Sequence, residues 1–269
     1  MDCHERALEE ARVPHHSDKA SRILSLDFSS LSVARCLSLA EIMMTQQSGA
    51  VLFDCDSTLS AVEGIDRLAE RGGVHDQVAP LTRAAMEGTL TLEEVYRKRL
   101  ELIRPSRVDV AWLGEEYIAE RVAGVEETVA ALHALGREVH IVSGGIRQAV
   151  LALARVLAIP AEHVHAVDLI FDEIGEYVDF DAASPLARSG GKTEICKQVL
   201  ARVGSAVLVG DGATDLEAAE AGVPVIGFGG IVRREIVAKQ ASAYVEAPNL
   251  TAVLDVILTP AERERVKTL

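Results

Sequence analysis

The chain has 269 residues, and its 41 acidic against 27 basic side chains give a net charge of −14. That balance disfavours nucleic acid and anionic membranes as partners, and any anionic substrate would need local positive charge. No apolar run approaches the ~18 residues of a spanning helix. Cys3, Cys36, Cys55 and Cys196 lack C-x-x-C or Cys/His metal spacing, so neither a disulfide framework nor a zinc site is expected, and a reducing cytoplasm fits best.

Residues 1–47 differ from the rest, with His4, His15 and His16, a Ser/Leu-rich stretch from Ser21 to Leu39 and no strand-helix alternation. They are expected to be an extension outside the fold. Its acidic start resembles neither a transit peptide nor a secretory signal, and a translation start at Met43 or Met44 is an alternative.

From Ala50 onward, short apolar runs alternate with helical periodicity, the pattern of βαβ units and a parallel sheet. Ala50 to Phe53 is the first predicted strand. Between Glu63 and Ala123 the texture changes to helices alone, so residues 63–123 read as a helical insert over the strand ends, able to exclude water and read a substrate. The α/β core is expected over 48–62 and 124–260. There the repeat Val125, Val129, Leu132, Leu135 stops at Gly136 before a strand from Glu138 to Val142. Ile146, Val150, Leu153 and Leu157 mark a helix ended by Pro160, and His163 to Val167 another strand. Phe171 to Phe180, centred on Gly175, reads as a hairpin. A helix through Ile195, Val199 and Val203, a strand Ala206–Val209, a short helix Leu216–Ala221, a strand Val223–Gly227 and a helix around Leu250–Ile257 complete the core, leaving 261–269 as a tail.

Chemistry concentrates where predicted strands end. Asp54 and Asp56 follow the first strand, and residues two apart in an extended chain share a face. Ser143, Gly144 and Gly145 follow the second, where small residues let backbone N–H groups approach an anion. Asp211 and Asp215 in Gly210-Asp-Gly-Ala-Thr-Asp215 could hold or orient a hard cation. Lys192, after Gly190 and Gly191, adds positive charge at a helix start. Each signal alone is commonly a structural turn or a solvated charge. Together they supply what phosphoryl transfer needs: a nucleophile, a proton donor, a divalent cation and donors for the equatorial oxygens.

The order D-x-D-[ST]-[TL], S-G-G, G-K, G-D-G-x-x-D resembles the haloacid dehalogenase-like phosphatases. Within them the similarity is greatest to the branch acting on phosphoserine, through Glu63-Gly-Ile-Asp66, Thr82-Arg-Ala-Ala-Met86, Arg99, Pro105-Ser-Arg107, Gly175-Glu-Tyr177 and Ile226-Gly-Phe-Gly-Gly230. The resemblance runs from about Val51 to Leu258. It implies a Rossmann-like parallel sheet with a small helical cap inserted after the first strand. It also implies hydrolysis of O-phospho-L-serine, the last step of serine biosynthesis, with Asp54 as the nucleophile that becomes an aspartyl-phosphate and Asp56 as acid and then base. Mg2+ would be held by Asp54, the Asp56 carbonyl and Asp211, with Asp215 in support. Ser143, Gly144, Gly145 and Lys192 would grip the phosphoryl group. Glu63 would face the substrate's amino group, Arg99 its carboxylate and Met86 would close over it, while Thr214, Gly212 and Arg234 would be further contacts. Leu92 stands where many relatives carry an aromatic residue.

The same resemblance leaves a phosphotransferase passing the phosphoryl group to homoserine as an alternative. A signalling receiver module, which also combines an accepting Asp, a Ser/Thr and a Lys on an α/β sheet, is a remote alternative from another class that the motif order disfavours. The chain is expected to be a monomer or a homodimer, and no apolar stripe demands the dimer. Cys55 is expected to be a small buried apolar residue rather than a catalytic thiol. His75, His133, His140, His163 and His165 show no ligand-like grouping and read as structural or solvated.

Overall fold

The computed structural model describes residues 49–86 and 90–268, except for the side chains of residues 85 and 86. The expected extension, the Met43 and Met44 starts and the Met86 side chain lie outside the described residues. In chain order, β1 (Ala50–Phe53) is followed by α1 (Gly64–Arg71), α2 (His75–Met86), α3 (Leu92–Ile103), α4 (Arg107–Ala119) and α5 (Val125–Ala134). The chain then alternates through β2 (Glu138–Ile146), α6 (Arg147–Val156), β3 (Val164–Val167), the pair β4 (Leu169–Phe171) and β5 (Tyr177–Phe180), α7 (Gly191–Val203) and β6 (Ala206–Gly210). It closes with β7 (Val225–Phe228), α8 (Glu235–Gln240), β8 (Ala243–Val245), α9 (Leu254–Ile257) and α10 (Pro260–Val266).

Six strands form one sheet in the order β3-β2-β1-β6-β7-β8, and every neighbouring pair is parallel. The central strands are apolar and buried along their whole length, as a sheet covered by helices on both faces requires. Strand order reverses between β1 and β6, so the crevice beyond their carboxyl ends is the switch point at which doubly wound sheets bind ligands. Both aspartate motifs leave the sheet there. Among the described residues no helix is long and apolar enough to cross a membrane.

The helices between β1 and α5 are set by local signals. Capping boxes start α3 at Thr91 and Glu94 and α4 at Ser106 and Asp109, each satisfying two otherwise orphaned backbone donors. Helix α4 packs closely on α6, and a Cβ at Gly114 would come within 2.8 Å of the Ala152 Cβ. Glycine there permits the close approach of the two helices.

Several boundaries differ from those the sequence predicts. Strand β2 continues through Ser143-Gly144-Gly145 to Ile146, and its pairing with β3 slips between Val142 and Ile146. Four steps on β2 face two on β3, so the small residues bulge out of the ladder. The Ala213–Ala221 segment is a 3-10 helix, and the short edge strand β8 is unpredicted. Residues read as a tail form α10, started by a Thr259/Glu262 capping box and tied to the core by Arg137 Nη2, 2.6 Å from Glu262 Oε1.

Candidate active site

β1 delivers Asp54 and Asp56 into a cavity of about 630 Å³ beyond the strand ends, lined also by Glu63, Arg99, Ser143, Gly144, Gly145, Lys192, Asp211, Gly212, Thr214 and Arg234. Of the side chains expected to touch substrate or metal, Asp215 lies behind the lining, while that of Met86 is not described. The chain turns off the sheet at Ser57, whose φ of 53° lies in the left-handed region and costs a non-glycine residue about 1–2 kcal/mol. The Ser57 hydroxyl donates to Glu63 Oε1 at 2.8 Å, tying the turn to the start of α1.

The two aspartates differ in surroundings. Asp54 Oδ1 accepts the Cys55 amide at 2.7 Å, and Oδ2 lies 2.8 Å from Lys192 Nζ. Asp56 is held on both oxygens, by the Tyr117 hydroxyl at 2.6 Å on Oδ1 and the Gly64 amide at 3.1 Å on Oδ2. Burial raises the Asp56 pKa well above the ordinary carboxylate value, Glu63 and Asp54 raise it further, and the Tyr117 and Gly64 donors oppose them. One aspartate is thus ion-paired and open to the cavity, and the other is biased toward its protonated form.

Lys192 lies in the first turn of α7, with Gly190 as cap at φ 78°. Gly191 passes so close to the Pro185 carbonyl that a Cβ would fall 2.0 Å from its oxygen. The buried Lys192 ammonium reaches both Asp54 and, at 2.6 Å, Asp215 Oδ1. Burial lowers its pKa, but Asp215 and Asp54 outweigh this and hold it above the usual lysine value. Asp215 Oδ2 accepts the Gly212 amide at 2.8 Å. Gly210 leaves room for this carboxylate, because a Cβ there would fall 2.2 Å from Asp215 Cγ.

Carboxylate oxygens of Asp54, Asp211 and Asp215 lie within 4.8 Å of one another. Burial raises Asp211 to about 6, with Asp54 adding to the rise, and burial raises Asp215 to about 7 against the pull of Lys192. Three crowded carboxylates, with Lys192 on two of them and Arg234 on Asp211, still leave surplus negative charge, and a hard divalent cation suits that donor set. Asp215 is already committed to Lys192 and Gly212, so it is better placed to orient than to ligate. The Asp56 carboxylate, turned toward Tyr117 and Gly64, stands outside the group.

The opposite wall carries the expected substrate-reading residues. Arg234 bridges Glu63 and Asp211, with Nη2 3.0 Å from Glu63 Oε1 and Nε 2.9 Å from Asp211 Oδ2. Glu63 therefore faces an arginine as well as the cavity. Arg99 Nε and Thr82 Oγ1 are shielded from solvent and have no hydrogen-bond partner among the described residues. Burial also lowers the Arg99 pKa, against the raising influence of Tyr96, Asp66, Asp56 and Glu63, so an anion in the cavity would supply the partner that Nε lacks.

Residues 49–222 match the haloacid dehalogenase-like hydrolase family model, the class that this sheet order and site define. The chain is 39% identical over 203 residues to the phosphoserine phosphatase of Drosophila melanogaster, covering 74% of this chain and 75% of that one. Two solved phosphoserine phosphatase structures are each 29% identical and cover 79% of this chain and 99% of theirs. One is a substrate-bound complex with a TM-score of 0.65, and the other is an analogue of the phospho-aspartyl intermediate with a TM-score of 0.64. The chain belongs to the haloacid dehalogenase-like hydrolases, within the phosphoserine phosphatase family.

Sequence reasoning missed Tyr117. Its signal was available, since it continues the buried positions Val110, Leu113 and Gly114 of α4, and a phenol on a buried helix face needs a polar partner. Cys55 is fully buried between the aspartates, and burial raises its pKa well above the usual thiol value. This suits packing rather than reactivity.

Proposed function

We propose that this protein hydrolyses O-phospho-L-serine to L-serine and phosphate through a phosphorylated Asp54. The observation that carries the substrate class is Arg99, whose Nε is shielded and unpartnered while the residue lines the same cavity as Asp54 and Asp56. A guanidinium so placed favours a substrate with a carboxylate beside its phosphate. Glu63 offers the complementary carboxylate for an α-amino group: burial raises its pKa against the pull of Ser57 and Arg234, and an ammonium beside it would draw it back to the ionised form.

In the first half-reaction an Asp54 carboxylate oxygen attacks phosphorus in line with the departing seryl oxygen. A P–O bond to Asp54 forms as the P–O bond to serine breaks, and Asp56, biased toward its protonated form, gives its proton to the leaving oxygen. In the second, water attacks the same phosphorus, Asp56 takes the water's proton and Asp54 departs as carboxylate. Ser143, the Gly144 amide and Lys192 hold the equatorial oxygens and offset their charge, while the Gly145 amide, which donates to Ser143 Oγ at 3.0 Å, orients that hydroxyl. Thr214 and Gly212 stand at the rim. Mg2+ would be held by the Asp54 and Asp211 carboxylates and the Asp56 carbonyl, with Asp215 oriented behind them by Lys192, and would supply charge neutralisation at the phosphoryl oxygens.

In this reading residues 63–123 serve as a cap on a core of 48–62 and 124–260, Met86 closes over the substrate, and the protein works in the cytoplasm as a monomer or homodimer. The test is phosphate release from L-phosphoserine, L-phosphothreonine and p-nitrophenyl phosphate, with Mg2+ and in excess EDTA. Preference for L-phosphoserine and loss of activity in EDTA are expected. A preference for p-nitrophenyl phosphate would refute the amino-acid substrate, and full activity in EDTA would refute the Mg2+ requirement.

A further inference from the structure

Away from the catalytic cavity, at the start of β2, Glu138 and His140 lie two residues apart and share one side of the strand. The register pairs Ile141 with Val164 and Val142 with His165, which brings His163 beside His140. Their rings stack with centroids 4.0 Å apart. A Glu138 carboxylate oxygen and one imidazole nitrogen from each of these two histidines lie within 4.8 Å of one another. The histidines that look ungrouped in the sequence are therefore grouped by strand pairing.

Hydrogen bonds give each ring its outer partners. His163 Nδ1 is 3.1 Å from the Val139 carbonyl, which only accepts, so Nδ1 carries the proton and Nε2 presents a lone pair 3.9 Å from Glu138 Oε2. His140 Nε2 lies 3.1 Å from that same oxygen and 3.1 Å from Arg202 Nη2. Glu138 only accepts and Arg202 only donates, so this nitrogen faces one of each, while His140 Nδ1 lies 3.2 Å from His165 Nε2. Burial lowers the pKa of both His140 and His165 to about 4, which keeps these rings neutral at pH 7.

We propose that Glu138, His140 and His163 form a second metal site, for a divalent transition ion of the zinc type. Two imidazoles and a carboxylate are an established zinc donor set, and tetrahedral zinc needs donor atoms about 3.3 Å apart. With a metal on both Nε2 atoms the protons would sit on Nδ1, facing the Val139 carbonyl and His165 Nε2, the outer-shell arrangement that orients metal-bound imidazoles. Imidazole donors select against Mg2+, which prefers oxygen. Arg202 already supplies a cation to these acceptors, with Nη1 3.0 Å from Glu138 Oε1. Its side chain is half exposed, so it can swing aside. His140 is three residues from Ser143, about 10 Å along the strand, so a metal here would brace β2 against β3 without reaching the phosphoryl site.

Zinc titration by calorimetry tests this, on the metal-stripped full-length protein at pH 7 in saturating Mg2+. Wild type is expected to take up one equivalent that His163→Ala and Glu138→Gln bind more than roughly 100-fold more weakly, with circular dichroism confirming that both variants fold. Arg202→Ala is expected to bind zinc more tightly than wild type, because a competing cation is gone. A purely structural Arg202–Glu138 ion pair predicts no such gain. Zinc uptake unchanged in both ligand variants, including uptake by the N-terminal histidines that all these proteins share, overturns the proposal. Weaker binding by Arg202→Ala would overturn the competition on which it rests.

Discussion

The Tyr117 hydroxyl, near the end of α4, donates to Asp56 Oδ1 at 2.6 Å across 61 residues of sequence. Tyr117 is fully buried, and its helix is packed closely on α6, so the donor is fixed in place. A residue expected to act first as acid and then as base is thereby oriented from the helical insert. The bond also stabilises its ionised form.

Tyr117→Phe removes that donor while keeping the ring. Because the hydrogen bond lowers the Asp56 pKa against burial, its loss raises that pKa. The acid limb of the kcat profile, where Asp56 must be ionised to accept a proton, should move to higher pH. At neutral pH kcat should fall roughly tenfold, the effect of losing one bond to a charged group. Rates on L-phosphoserine between pH 5 and 9 decide it, and an unmoved limb would show that Tyr117 is only a packing residue.

Gly64 is constrained by the same pair. Its amide donates to Asp56 Oδ2, and a Cβ there would fall 2.1 Å from the Tyr117 hydroxyl oxygen. Gly64→Ala should therefore destabilise the protein by about 1–3 kcal/mol and lower kcat at least as much as Tyr117→Phe. Removing the hydroxyl relieves the clash, so the double variant should be more stable than the sum of the singles predicts, by at least ~0.5 kcal/mol. Denaturant titration of the four proteins measures this coupling, and strict additivity would rule it out.

The part of the cavity around Asp54 is legible because Asp54, Asp56 and Asp211 follow apolar strands, and strands in a parallel sheet deliver their carboxyl ends to one edge. Ser143 shows through the small residues late in β2, and Lys192 through the glycines before a helix. Relationships made by tertiary packing left weaker traces. Tyr117 meets Asp56 only because α4 lies on α6, and Arg234 meets Glu63 across 171 residues. His140 of β2 and His163, just before β3, come together through a register that no local pattern encodes. The edge strand β8 has three residues, too few for alternation to show.

Arg99→Ala should separate substrates. If the guanidinium binds the carboxylate of phosphoserine, kcat/KM for L-phosphoserine falls roughly 10- to 100-fold. That for p-nitrophenyl phosphate, which has no such group, should change little. Equal losses on both would mean that Arg99 supports the fold of the cavity rather than reading the substrate.

The crowded carboxylates predict an unusual pH dependence of stability for the metal-free protein. Asp211 and Asp215 rise to about 6 and about 7 through burial, from about 3.9 in the unfolded chain. Between those limits the native state binds more protons than the unfolded one, so stability falls as pH rises from about 4 to about 7 and the loss persists above that range. A divalent cation favours the ionised carboxylates and offsets the loss. The gain in Tm on adding Mg2+ should therefore be larger at pH 8 than at pH 5. Lys192→Met should enlarge the metal-free deficit at pH 8, because it removes the cation between Asp54 and Asp215. Thermal denaturation at the two pH values, with and without Mg2+, measures both effects. Equal gains at pH 5 and pH 8 would mean that these carboxylates do not hold the metal.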